Sequence, residues 1–206
     1  MNATIEAPKL APPGTGLPYP ELLVARLLFK FRRWRGNRDS FTEHFQRERA
    51  AIRTLVQSCD AEAVARRVLI PRLRGLEDSS RNWSVWMTLD HLRIVNHGIL
   101  RTIESLTKGV VPPGKASTAA VKPSPEVDAT ILSKYEKSCD LLLGTVGNVP
   151  NLKTSVRYPH PWFGPLDASG WHALAAGHMS VHRAQIEHIL NRQPTRQISL
   201  SMNLTP

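Results

Sequence analysis

Apolar residues recur at spacings of three and four along most of the chain, and the runs that keep this rhythm predict helices. The stretch ELLVARLLFKFRRWR, residues 21–35, has one apolar and one basic face and ends near Gly36. Ser40 with Glu43 three residues on has the form of a capping box, opening a helix to about Cys59. Phe41, Phe45, Ile52, Leu55, Val56 and Cys59 form its apolar stripe. A short helix is expected in DAEAVARRVL, and a long one over residues 83–108 with Met87, Leu92, Val95, Ile99, Ile103 and Leu106 on its arc. Another runs over 125–147, from Pro125 to Gly147, and Asp167 is placed to cap a last one reaching about Arg192. Alternating patterns are scarce, and KTSVRY is the only plausible strand. The fold class is therefore all-α: four long helices in a bundle, with at least one long crossover and an extra N-terminal helix.

Prolines at 8, 12, 13, 18 and 20 set off the chain's beginning. The expected organisation is a flexible proline-rich arm over 1–18, a basic amphipathic helix over 19–38, the bundle over 39–195 and a polar tail over 196–206. Lys and Arg number 27 against 17 Asp and Glu, a net charge of +10 that favours anionic partners without deciding the fold. Cys59 and Cys139 lie far apart without a disulfide framework, and the apolar run LLVARLLF is too short to span a bilayer. With no secretory pattern at its start, the chain is expected to be cytoplasmic. In FKFRRWRGNR, Lys30, Arg32, Arg33, Arg35 and Arg38 surround Phe31 and Trp34. This 21–38 helix is a candidate for peripheral contact with an anionic surface, whereas no nucleic-acid motif accompanies it.

The chemistry concentrates in GWHALAAGHMSVHRAQIEHIL, residues 170–190. At 100° per residue, His178 and His182 fall with Trp171, Leu174, Ala175, Gln185, Ile186 and Ile189 on the expected buried stripe. His172 and His188 fall to either side, at expected solvated positions. An i, i+4 histidine pair presents two imidazoles on one face, the spacing used by helical zinc sites, although hydrogen-bonded core histidines are the alternative. His91, flanking the arc of the 83–108 helix, is the candidate third ligand, while His97 points elsewhere. Gly98, two turns on, leaves room for a ligand or a close helix approach. Three imidazole nitrogens suit Zn²⁺ or Ni²⁺ with a position left open.

The segments WSVWMTLDHLRIVNHGIL, HPWFGPL and GWHALAAGHMSVHRAQIEHIL resemble the DinB-like superfamily of four-helix bundles over about residues 40–192. The likeness is to a branch with an HP-aromatic-F-G segment before the last helix. This resemblance implies an up-down-down-up bundle, often a homodimer, with a metal held by one histidine of the second helix and a His-x-x-x-His pair of the fourth. Those positions match His91, His178 and His182. It also implies a thiol S-transferase using a low-molecular-weight thiol such as bacillithiol, mycothiol or glutathione. Metal-assisted hydrolysis on the same site, and a non-catalytic stress-associated binding module, are the alternatives.

Other candidates are weaker in kind. Glu48, near the centre of its stripe, is a candidate general base or a carboxylate paired with an arginine. Gln185, Tyr135 and Trp162 are candidates for contact with a small-molecule cofactor or substrate, with Gln185 equally able to bond a backbone group. His160 and Trp162 are placed to close a pocket mouth, with Trp162 and Phe163 as a hydrophobic plug the other reading. Cys139 reads as a small core residue rather than a nucleophile.

Overall fold

The structure is a computed structural model that describes residues 8–192; the polar tail over 196–206 lies outside the described residues. Six α-helices are present: α1 (Tyr19–Arg35), α2 (Arg38–Gln57), α3 (Ala61–Ala65), α4 (Val85–Thr107), α5 (Ile131–Asn148) and α6 (Ala168–Asn191). Four two- or three-residue strands accompany them: β1 (Val68–Leu69), β2 (Asn82–Trp83), β3 (Tyr158–His160) and β4 (Gly164–Leu166). The strands pair antiparallel, β1 with β2 and β3 with β4.

Cross-helix contacts fix the topology. Thr42 meets His172, His44 meets Ser180 and Glu48 meets Arg183, so α2 and α6 run parallel. Gln185 reaches Ser80 just before α4, while His178 meets His91 further along it, so α4 and α6 are antiparallel. Asp90 accepts from the Ser124 amide ahead of α5, and Asn96 donates to Ser138 within it, so α4 and α5 are parallel. The result is an up-down-down-up bundle of α2, α4, α5 and α6, in which the two parallel neighbours in sequence require the long crossover 108–130. Its core contains Phe45, Ile52, Leu89, Leu92, Ile99, Ile103, Leu142, Met179 and Ile186, all nearly inaccessible to solvent.

Several local expectations shift. Asn37, not Ser40, caps α2: its side chain accepts from the Ser40 amide, and the Ser40 hydroxyl accepts from the Asn37 amide. Gly36 ends α1 in an extended conformation rather than a left-handed one. Its role is steric, since a Cβ there would stand 2.2 Å from the Phe41 ring. Trp83 lies in β2 rather than opening the helix, which Ser84 caps through the Met87 amide. α5 starts at Ile131, later than Pro125, because residues 122–130 continue the crossover. KTSVRY contributes only Tyr158 to a strand; the hairpin lies in YPHPWFGPL, where facing prolines, Pro159 and Pro165, obscured any β pattern.

The arm is not free where it is described. Asp78 accepts from the Ala11 amide, and Glu77 accepts from the amides of Gly14 and Gly16. α1 lies across the bundle: Phe29 packs on Phe163 with ring centroids 4.5 Å apart, Arg33 pairs with Asp167, and Arg26 donates to the Trp162 carbonyl. α1 also exposes Leu23, Val24, Leu27, Leu28, Phe31 and Trp34. No helix among the described residues is long and apolar enough to cross a membrane.

Candidate metal centre

His91 on α4 and His178 and His182 on α6 converge where the two helices cross. His178 Nε2 lies 3.1 Å from His91 Nε2 and 3.0 Å from His182 Nε2. One ligand atom from each of the three histidines falls within 4.8 Å of the other two. Two nitrogens each 2.0–2.1 Å from a tetrahedral ion stand roughly 3.3 Å apart, so the spacing fits a single small cation. Among the described residues this is the one such grouping.

The outer nitrogens of two rings are committed. His91 Nδ1 lies 2.6 Å from the Val121 carbonyl, which can only accept, so that nitrogen carries the hydrogen. Gln185 Nε2 donates to the Ser80 carbonyl at 2.7 Å, which turns Gln185 Oε1 toward His182 Nδ1 at 2.6 Å. His182 Nδ1 is therefore also the protonated nitrogen. Burial drives the His91 pKa down to about 4, the Val121 carbonyl opposing and Lys122 assisting. Burial, followed by the neighbouring imidazoles, holds His178 and His182 well below the usual histidine range. With all three neutral, His91 and His182 aim bare lone pairs inward, and His178 has one hydrogen to offer at most. Three nitrogens within 4.8 Å of one another thus share no more than one proton, and a cation bound by all three lone pairs satisfies the set.

Trp83 forms a wall of this centre, nearly parallel to the His182 ring at 6.3 Å and tilted against His91 at 5.2 Å. Lys122 lies 5.3 Å above the Trp83 ring and is held by Glu77, Ser79 and Ser80. The centre opens into a cavity of about 1220 Å³ bounded by α1, α2, α4, α6, the crossover and the β3–β4 hairpin. Gly98 lines this cavity, and a Cβ there would touch nothing within 4 Å, so it makes room rather than a close helix contact. His160, Trp162 and Phe163 also line it. The two readings of this hairpin merge: Phe163 anchors the loop on α1, while His160 and Trp162 form part of the cavity wall.

The remaining candidates occupy other roles. Gln185 is fully buried, bonds His182 and does not line the cavity. Tyr135 is fully buried with its hydroxyl toward Met179 Sδ; it belongs to the core and does not face the cavity. Glu48 lines the cavity but bonds Arg183 at 2.5 Å, with His44 3.4 Å away, matching the arginine-paired reading. Cys139 is a core residue whose thiol burial pushes up to about 12. His172 is buried, not solvated: it stands edge-on to Phe41, and its Nδ1 has no partner among the described residues. A single-stripe wheel misplaces it because α6 packs on α2 as well as α4, so that half of its 24 residues are buried. His188 is exposed as expected.

Sequence reasoning missed Trp83, His44 and the carbonyls of Ser80 and Val121. The tryptophan immediately before the Ser84 cap was the one local signal; the others come from segments that meet only in the fold.

The comparisons agree with this architecture. No curated protein matches the chain. The crystal structure of TT2238, a four-helix bundle protein, matches with a TM-score of 0.54 and 19% identity, covering 73% of this chain and 98% of that one, a likeness of fold. The model of the DinB superfamily matches residues 32–186, well over half of the sequence, and by that match the chain belongs to the DinB superfamily.

Proposed function

We propose that this protein is a metal-dependent enzyme that holds one divalent ion, Zn²⁺ or Ni²⁺, on His91, His178 and His182 and catalyses thiol-dependent group transfer. The supporting observation is the proton count at the centre: three converging, inward-facing nitrogens with one hydrogen at most between them. When bound, the ion would supply Lewis acidity, making a thiol beside it more acidic. The chain's own residues supply the rest. Gln185 and the Val121 carbonyl fix two ring orientations, and Trp83 shields one side from water.

Two features favour transfer over hydrolysis. The cavity of about 1220 Å³ exceeds the roughly 300–1,000 Å³ of a one-ligand pocket, leaving room for a thiol and an electrophilic partner together. Its two carboxylates, Glu48 and Glu77, are both engaged by cations, Arg183 and Lys122, which leaves neither free as a base to activate water. Elemental analysis tests the reading. The purified protein should contain, or take up from added Zn²⁺ or Ni²⁺, one ion per chain, and a folded His178→Ala/His182→Ala variant should not. Metal-dependent consumption of a low-molecular-weight thiol with an electrophile then separates transfer from hydrolysis. A folded chain that takes up no ion from excess metal overturns the proposal in favour of a non-catalytic binding module.

A further inference from the structure

The charges lining the cavity are unbalanced in a way that specifies its ligand. Five cationic side chains border it: Arg32, Arg35, Arg47, Lys115 and Lys122. Lys122 is engaged by Glu77, and Arg47 stands 3.8 Å from Glu43. Both lining carboxylates already hold cations. Arg32, Arg35 and Lys115 have no ion pair among the described residues; Arg35 lies 5.7 Å from the Phe31 ring instead.

Arg32 is the most specifically placed of the three. It comes from α1, yet its Nη1 lies 3.5 Å from where a Cβ on Gly177 would be, against α6 and one residue before His178. On the opposite wall, burial and then the Arg32 charge hold His44 below its ordinary pKa. A guanidinium without a counter-ion therefore stands between α2 and α6, beside the path to the imidazoles. Around it the lining is apolar: Leu28, Phe29, Phe163 and Leu174.

We propose that the cavity takes an amphipathic anion, its carboxylate, sulfonate or phosphate held by Arg32 with Arg35 and its apolar body laid on Phe29, Phe163 and Leu174. This deepens the proposed function and rests on the cavity being the substrate pocket. The physical reason is that a planar guanidinium pairs with such groups through parallel hydrogen bonds. α1 then acts as a specificity element, supplying the charge that bundle residues around the pocket leave uncompensated.

The test uses metal-free protein, so that no carboxylate is drawn to an ion. Affinities of decanoate, 1-decanol and decyltrimethylammonium are measured by calorimetry for wild type and for Arg32→Gln/Arg35→Gln. Decanoate should bind at least tenfold more tightly than 1-decanol, and the cation most weakly. The double variant should bind 1-decanol as wild type does, with an unchanged melting temperature, and lose the preference for decanoate. Equal affinities in the wild type, or a preference that survives the double variant, overturn the inference. Zn²⁺ uptake by the same samples separates the two proposals. Metal bound without anion preference refutes the ligand class alone, and anion preference without metal refutes the metal centre alone.

Discussion

Gln185 allows metal binding and fold stability to be perturbed separately. Its amide joins two buried partners: Nε2 donates to the Ser80 carbonyl and Oε1 accepts from His182 Nδ1. Gln185→Leu removes both bonds at a fully buried position. Each of the two groups left unpaired costs about 1–3 kcal/mol, so the metal-free fold should lose about 2–6 kcal/mol. His182 also loses the acceptor that fixes its orientation and tautomer, a loss that typically weakens metal binding by about 10–100-fold, or about 1.4–2.7 kcal/mol. Gln185→Glu behaves differently. Its carboxylate still accepts from His182 and makes that ring a stronger ligand, but it faces the Ser80 carbonyl with no hydrogen to donate. Urea denaturation without metal should therefore show both variants destabilised, while Zn²⁺ titration against a competing chelator should show weakened binding in Gln185→Leu only. If Gln185→Leu binds Zn²⁺ as tightly as wild type, or Gln185→Glu is as impaired as Leu, the assigned orientation of His182 is wrong.

Two further outcomes follow from the packing. Burial, with Arg38 adding to it, depresses the His172 pKa to about 4, below the roughly 6.5 of an unfolded chain. The unfolded state then gains a proton first as pH falls, so stability is lost from about pH 6.5 down to about 4 and levels off below. Between pH 7.5 and 5 that single group should remove about 2 kcal/mol. His172→Leu should reduce the pH dependence of the metal-free urea midpoint by this amount, and an unchanged dependence would show that His172 is already charged in the fold. Gly36→Ala drives a methyl into the Phe41 ring although the backbone angles suit any residue, and should cost about 1–3 kcal/mol. Gly36→Ala/Phe41→Leu should recover much of that loss in thermal melts; no recovery would place the strain elsewhere.

The helices and the three histidines were legible for a physical reason. A helix facing a core must repeat its apolar positions every three or four residues, and α4 and α6 do so over long spans. His91, His178 and His182 interrupt those patterns at inward positions, which is visible without coordinates. Helix starts were less legible. Ser40 and Glu43 have the form of a cap, but Asn37 lies upstream and takes that place, and the first residues after Pro125 continue the crossover instead of turning into α5. His172 was misjudged because a periodic pattern reports one buried face, whereas α6 has neighbours on two sides.

The sequence by itself determined the all-α class, the long crossover and the metal-ligand candidates, since each is written in local spacing or in a run of residues unable to form helix. Only the tertiary structure decided what surrounds those ligands. The Val121 carbonyl comes from the crossover, Ser80 and Trp83 from the turn before α4, and Arg32 from a helix laid across the bundle. These segments share no pattern with the residues they touch, because their meeting depends on how separate elements pack and not on any one element's own periodicity.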